Sequence, residues 1–419
     1  MLKNYLKIAI KVLFRRKFFT FISLFGISFT LVVLMIVAAF FDHLFGPLPP
    51  ETRADRMAHI YWTAASKDGK VNQLAFPGYK LLDQYGRGMT NVEHFSIHSY
   101  PMSAISFKNG QQIRSYLKRT DGEFWETFSF HFLGGNPYSE EDVKRGSFVA
   151  VINEATAEKF FGNEPAVGKT MEIDGQRFRI AGVVPNVPII RITTFADVWV
   201  PWTTSKTDQY RKDLIGFSMG SILATHAEAL PGIKEEFCSR LARVDWSKME
   251  LGNRENQMAS YPETLFDSIS RICVAKLEDS LQPHPQRVWT LVLMLMILFM
   301  LLPTINLVNI NISRIRERAS EIGVRKAFGA SSRTLVGQFV VENLLLTLVG
   351  GLLGFVVSMF LLQWLTSSGW VQYAEFHMNF RIFFASLGMG LFFGLFSGVY
   401  PAWKMSRLHP VEALRGRLS

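Results

Sequence analysis

Cysteine is nearly absent. Cys238 and Cys273 are the only two in 419 residues, too few for a disulfide-stapled scaffold. A bridge between them is permitted on an oxidising face but not required. Charged residues are also scarce, at 19%, while 48% are hydrophobic and 13% aromatic, which excludes a disordered chain. The nine histidines show no metal-ligand spacing. His94 and His98 are four apart without the glutamate of a zincin pair, so they read as solvated or packing residues. No repeat and no low-complexity segment is present.

What the chain has is long apolar runs. Four are long enough to cross ~30 Å of hydrocarbon, which takes ~20 apolar residues. They cover residues 18–41, 288–310, 335–365 and 380–403, and the first contains no charge at all. Between the first and second lies a polar segment, residues 42–287, sized for a large soluble domain. The expected fold class is therefore a membrane protein, with four transmembrane α-helices and a large α+β domain inserted between spans one and two. The first run is too long for the 7–15-residue core of a cleaved signal peptide, so it is read as a retained anchor.

Charge sets the orientation. Residues 1–17 carry Lys3, Lys7, Lys11, Arg15, Arg16 and Lys17 and no acid. Together with the loop 311–334 and the tail 404–419 they hold a net +13, whereas residues 41–290 have 28 basic against 30 acidic side chains. Positive charge stays on the cytoplasmic side, so both termini and the middle loop are expected there, with the large domain and a short loop, 366–379, outside. The overall net charge of +10 then reflects topology and contact with anionic lipid, not nucleic acid. Lys3, Lys7, Lys11 and Arg15 repeat every four residues, as on one ridge of a helix. That fits either a helix lying on the inner membrane surface or a simple positive stop.

Within 42–287 the periodicity keeps changing, as in an α+β domain with two subdomains. Residues His59–Thr63 and Ser147–Ile152 read as strands. Asn153 can cap a helix running to Phe161. The alternating runs Thr170–Ile173 and Gln176–Ile180 flank Asp174-Gly175, a strong hairpin signal. The stretch Ile233–Val244 reads as a helix with Ile233, Phe237, Leu241 and Val244 on one face. A stretch from Gly162 to Gly168-Lys169-Thr170 imitates a phosphate-binding loop, but it has five residues between the glycines and leads into a strand instead of opening a helix. No enzyme site emerges.

The middle cytoplasmic loop is the most informative segment. Ser313 to Ala330 is amphipathic, with Ile315, Ala319 and Ile322 on one face and Arg314, Arg316, Glu317, Arg318, Glu321, Arg325 and Lys326 around the rest. It reads either as a helix that docks a partner or as a solvated loop, with Gly329 suited to a helix end. Gly350, Gly351 and Gly354 in the third run, and Gly390, Gly394 and Gly398 in the fourth, permit close helix contact, within one subunit or across a dimer. Pro303 can kink the second run. Glu342 is an intramembrane carboxylate with no second ionisable residue to form a relay, so a structural role is preferred to proton coupling.

At this loop the chain resembles the MacB/FtsX-type permeases of ABC transporters. The resemblance is carried by Glu321-Ile322-Gly323-Val324-Arg325-Lys326-Ala327-Phe328-Gly329-Ala330, by the pair Gln338…Glu342, and by Gly350-Gly351…Gly354. The ending Tyr400-Pro401-Ala402-Trp403…His409-Pro410-Val411-Glu412-Ala413-Leu414-Arg415 also fits. Outside, Asn153-Glu154…Phe160-Phe161-Gly162…Val167-Gly168-Lys169 and the hairpin after it look like the family's periplasmic domain. Ser320 departs from the second arginine that many members carry before Glu-Ile-Gly, which bears on one salt bridge to the partner.

The resemblance implies a non-catalytic permease of the bacterial inner membrane that binds no cofactor itself. ATP and Mg would be held by a separate cytoplasmic ATP-binding subunit docked on residues 314–330, with Glu321, Arg325 and Lys326 making polar contacts and Ile322 and Phe328 filling a groove. Two permeases, copies or paralogues, would pair, and a periplasmic adaptor and outer-membrane duct are further possible partners. Closure of the ATPases would rearrange the periplasmic domains by mechanotransmission, for efflux of a drug, peptide or similar substrate. Lipoprotein release and control of cell-wall enzymes compete within the family. A membrane-anchored sensor or scaffold would share the topology but would not need the loop.

Overall fold

Apolar helices and an alternating-pattern β domain bury their surfaces by different rules, and the chain separates into two units along that division. One unit comprises residues 1–42, 290–370 and 376–419, the other residues 43–289 and 371–375. The computed structural model describes residues 2–15, 17–67, 70–108, 110–246, 257–274, 283–317, 324 and 332–406.

The first unit is helical. Leu2–Arg15 precedes the helix Lys17–Phe45, and Pro285–Glu317, Ser332–Ser368 and Phe380–Ser406 follow. Of these, Lys17–Phe45 and Val336–Ser368 are long and apolar enough to cross a membrane. Phe21, Phe25 and Phe29 stack along the exposed side of the first, with ring centroids 6.2 and 5.7 Å apart, as i, i+4 spacing requires. The helix assignment runs unbroken through Pro303.

The second unit is α+β. Its strands are β1 (Met57–Ile60), β2 (Thr63–Lys67), β3 (Lys70–Pro77), β4 (Val92–Ser99), β5 (Met102–Lys108), β6 (Gln111–Thr120), β7 (Gly134–Gly135), β8 (Val149–Asn153), β9 (Thr170–Ile173), β10 (Gln176–Val184), β11 (Val198–Pro201), β12 (Ile215–Gly216), β13 (Ser218–Ala224) and β14 (Gln257–Ser260). Ten form one sheet, in the order β1-β13-β4-β6-β11-β8-β10-β7 with β5 on β6 and β9 on β10, and four form a second, β12-β3-β2-β14. Parallel pairs β6/β11 and β8/β10 sit among antiparallel ones. The central strands β8, β11 and β13 are buried throughout, as expected where helices and loops cover both faces.

Several local expectations are met. Asn153 accepts from Thr156 N–H at 2.8 Å and caps the helix Glu154–Phe161. The β9/β10 hairpin turns at Asp174 (φ 52°) and Gly175 (φ 71°), the two positive angles that a type I′ turn demands. The helix Leu230–Ala242 buries Ile233, Phe237 and Leu241. Val244 lies beyond its end and packs against the same core.

One expectation is corrected. Residues 59–63 are not a single strand. Ile60 pairs with Gly220 in the large sheet, whereas Thr63 pairs with Ala75 and Ser260 in the small one. The chain changes sheets at Tyr61 and Trp62. Tyr61 places its hydroxyl 2.7 Å from Thr193 Oγ1, and Trp62 stacks on Phe76 and donates its indole N–H to Ser268 at 2.8 Å. Burial is continuous there because Ile60 and Thr63 are both buried, although in different sheets, so periodicity could not show the break.

Candidate functional site

The second unit contains the residues at which the first apolar helix ends and the next begins. The first helix ends at Phe45, and the linker behind it is clamped. Arg191, 1% exposed, donates to Gly46 O at 2.7 Å and pairs with Glu51 at 2.9 Å. Its Nη1 also points at Leu48 O, 3.4 Å away. Thr194 donates to the other Glu51 oxygen at 2.7 Å. A buried ion pair is useful only when its remaining hydrogen-bonding capacity is met, and here two backbone carbonyls take up part of the guanidinium's. Aromatic rings add a second tie: Phe45 packs on Phe266 at 5.3 Å and Phe266 on Trp289 at 5.0 Å. Through the helix Leu265–Val274, the exit of the first apolar helix and the entry to the next are thereby joined.

Behind the clamp lies a buried polar cluster. Lys118, fully buried, donates to Ile192 O at 2.8 Å and Thr193 O at 2.6 Å. Burial drives its ammonium well below the usual lysine range, against the pull of Glu51. His59 Nδ1 and His98 Nε2 lie 2.9 and 2.8 Å from the same Ser221 hydroxyl. That hydroxyl has one proton and two acceptor lone pairs, so at most one ring accepts from it and at least one donates to it. Burial, reinforced by Lys118, lowers His59 to about 3 and takes His98 well below its ordinary value. His59 also exchanges two backbone hydrogen bonds with Glu263, each 2.8 Å, and the Glu263 carboxylate is paired with buried Arg271. The cluster is a rigid polar core, with no nucleophile opened to substrate and, among the described residues, no group of ligands for a metal ion.

In the helical unit the expected glycines do distinct work. A Cβ at Gly350 would meet Ile27 at 2.9 Å, and one at Gly354 would meet Leu31 Cβ at 3.1 Å and Ser28 O at 3.2 Å. Ser28 also donates to Gly350 O at 2.8 Å. These two glycines admit the first apolar helix. Gly351 points elsewhere, with Leu387 2.5 Å from a Cβ, and Gly390 is 3.7 Å from Thr347. The contacts are within one chain. Gly394 and Gly398 lie in the helix Phe380–Ser406. Glu342 is 2% exposed and accepts from Gln338 at 3.1 Å.

Of the residues expected to dock a partner, Arg314, Arg316 and Glu317 fall in the last turn of Pro285–Glu317, and Val324 is helical and exposed. Arg318, Glu321, Ile322, Gly323, Arg325, Lys326, Phe328 and Gly329 lie outside the described residues. Cys238 is a free thiol, its sulfur 3.9 Å from Ser260 O. His98 is a packing histidine, whereas half-exposed His94 pairs with Glu123 at 2.8 Å. In the false phosphate loop, Lys169 is paired with Glu164 and Thr170 opens strand β9.

Sequence reasoning passed over Arg191, Glu51, Lys118, Asp197 and Tyr373. One signal was available: Arg191 is a lone charge inside the apolar run Val187–Ile192, and such a charge is seldom buried without a partner.

Comparison with known proteins agrees with this architecture. Residues 20–229 match the MacB-like periplasmic core domain, and residues 293–410 match the FtsX-like permease C-terminal region. The macrolide export ATP-binding/permease protein MacB of Bdellovibrio bacteriovorus is 27% identical over 283 residues, covering 67% of this chain and 41% of its own length. The uncharacterized ABC transporter permease YknZ of Bacillus subtilis is 23% identical over 288 residues, 68% of this chain and 66% of its own length. The chain thus spans about two fifths of the first relative and two thirds of the second. Among solved structures, the extracellular domain of the transporter YknZ from Gram-positive bacteria covers 49% of this chain and 98% of that domain, at 15% identity and a TM-score of 0.37. With a MacB-like periplasmic core leading into an FtsX-like C-terminal region, the chain belongs to the MacB/FtsX family of ABC transporter permeases.

Proposed function

We infer that this chain is a four-span permease subunit that converts ATP hydrolysis by a separate cytoplasmic subunit into movement of its periplasmic domain. The observation that carries the reading is the joining, in one chain, of a MacB-like periplasmic core and an FtsX-like permease region, neither of which is an ATP-binding domain. The clamped linker favours mechanical transmission: a lever works only if its junction is stiff, and Arg191 fixes residues 46–51 from three directions. The spans would be residues 18–41, 288–310, 335–365 and 380–403, in the bacterial inner membrane with both termini cytoplasmic. Helices of 33 and 27 residues at the second and fourth positions, at ~1.5 Å per residue, are long enough for this. Trp289, Leu293, Met294 and Leu298 on the second are more than half exposed, which suits lipid or a second permease copy.

The partner ATPase, holding ATP and Mg, would dock on residues 314–330, with Glu321, Arg325 and Lys326 as polar contacts and Ile322 and Phe328 in a groove. Relatives named for macrolide export favour efflux of a drug or a similar periplasmic substrate, with an adaptor and outer-membrane duct as further partners. The test is co-purification in lipid nanodiscs with a candidate ATP-binding subunit, assaying ATP hydrolysis with and without the permease. A complex whose turnover changes with the permease, and loses that change in Glu321→Lys and Arg325→Glu, is expected. Failure to form a complex with any such subunit sinks the reading.

A further inference from the structure

The short segment Val371–Glu375 connects two long apolar helices, Ser332–Ser368 and Phe380–Ser406, yet it belongs to the periplasmic unit. We propose that Tyr373 in this segment is a latch that fastens the last helix pair to segment 187–197 of the periplasmic domain, so that movement of that pair reaches the segment that also clamps the exit of the first helix. The proposal rests on the mechanical reading above and adds a second transmission point to it.

Three contacts make the latch. Ile189 N–H donates to Gln372 O at 3.1 Å. The Tyr373 hydroxyl donates to Asp197 Oδ1 at 2.9 Å. The Tyr373 ring packs 6.5 Å from that of Phe195, at the margin of a buried cluster containing Phe124, Trp125 and Trp199. Tyr373 holds φ at 61°, a left-handed conformation that a bulky side chain adopts only when its surroundings over-determine it. The contacts with Asp197 and Phe195 supply that constraint.

The receiving residue is held by four hydrogen bonds besides the one from Tyr373. Asp197 takes the Tyr116 N–H on Oδ2 at 2.7 Å and Asn153 Nδ2 on Oδ1 at 3.1 Å, and its backbone bonds both residues again at 2.8 and 3.0 Å. It is thereby tied to β6 and β8 at the head of β11. Six residues upstream, Arg191 holds Gly46, Leu48 and Glu51. A single stretch of eleven residues therefore receives two of the connections leading from the apolar helices. Tyr373 itself is only half-buried and lines an open polar cleft of about 380 Å³ with Arg114, Glu158 and Lys159. Water can replace Asp197 at its hydroxyl there, which makes the contact releasable in a way that a dry core contact is not.

The experiment is amide hydrogen exchange on the full chain in nanodiscs, for the parent, Tyr373→Phe and Tyr373→Ala, alone and with the partner ATPase in nucleotide-free and ATP–vanadate states. Without the ATPase, Tyr373→Ala should speed exchange of the Ile189 amide at least tenfold, and Tyr373→Phe by less, while amides of β8 stay unchanged. With it, the parent should show a nucleotide-dependent change over 187–197 that Tyr373→Ala loses. Unchanged Ile189 exchange in the chain alone overturns the latch and leaves the transporter reading standing. Faster Ile189 exchange, with a parent that shows no nucleotide-dependent change anywhere in the periplasmic domain, overturns mechanical transmission and the role of the latch with it. A nucleotide-dependent change that survives intact in Tyr373→Ala overturns the latch alone.

Discussion

Arg191 and Glu51 meet at 2.9 Å in the interior of the periplasmic unit, 140 residues apart in sequence. Both side chains are largely buried, Arg191 at 1% and Glu51 at 10% exposure, and the pair fixes the first turn of chain beyond the first apolar helix. Removing one partner strands the other. Arg191→Met or Glu51→Leu alone should destabilise the periplasmic unit by about 3–5 kcal/mol. The double substitution should recover a large part of that loss, because it leaves no buried charge behind. Thermal unfolding of the full chain, followed by tryptophan fluorescence, measures all three. Single variants as stable as the parent would show that the pair is solvated.

Helix packing makes a graded prediction. Gly350→Ala and Gly354→Ala push a methyl onto the Ile27 branch and onto Ser28 backbone, whereas Gly351→Ala meets only the end of the Leu387 side chain. The first two should cost about 1–3 kcal/mol of helix-bundle stability and the third less. Gly388→Ala, with nothing within 4 Å, should be neutral or stabilising by up to ~1 kcal/mol. Unfolding in increasing SDS ranks the four, and a uniform cost would remove glycine's role in admitting the first helix.

Acid should weaken the periplasmic unit through its neutral histidines. His59 falls from 6.5 to about 3 on folding, and His98 is lowered too. Between those values the unfolded chain binds the additional proton, so the stability they contribute is whole above about pH 6.5 and is lost as pH falls toward 3. Asp121 and Glu263, raised to about 7 by burial, act in the opposite sense: folded protein holds more protons between about pH 4 and 7, so their contribution grows on acidification. A variant comparison separates the two effects. From pH 6 to 4.5 the stability of His59→Gln should fall less steeply than the parent's, by up to about 1.4 kcal/mol per pH unit. Identical slopes would mean that His59 is protonated in the folded state.

Lys169 offers a negative control. It is paired with Glu164 and lies over the Phe161 ring at 5.4 Å, ahead of a strand, with no helix opening behind it to present amides to a phosphate. Lys169→Ala should leave ATP turnover of the reconstituted complex unchanged. A large fall would reinstate a nucleotide site on this domain.

Local features were legible beforehand wherever a few adjacent residues carried the physics. The Asp174-Gly175 hairpin depends on two positive φ angles, and the Asn153 cap on a side chain three residues from its donor. The reading of 59–63 as one strand failed because Ile60 and Thr63 are both buried, in different sheets, and burial on both faces erases the alternation that marks a strand's end. Tyr373 gave no signal, since its conformation is imposed by Asp197 and Phe195, more than 170 residues earlier.

The sequence by itself determined the division of the chain, because a run of apolar residues without charge and a bias of basic residues toward certain segments act through transfer free energy and need no knowledge of the path. It also determined the family, through the residues from Glu321 to Ala330 and the glycines after them. Only the tertiary structure decided which charges are partners, where the chain changes sheets, and that segment 187–197 gathers the connections at residues 46–51 and 371–375. The pairings at segment 187–197 span 140 to 183 residues. Their strength comes from burial that the whole fold creates, and no local pattern encodes which distant carbonyl or carboxylate a lone charge will meet.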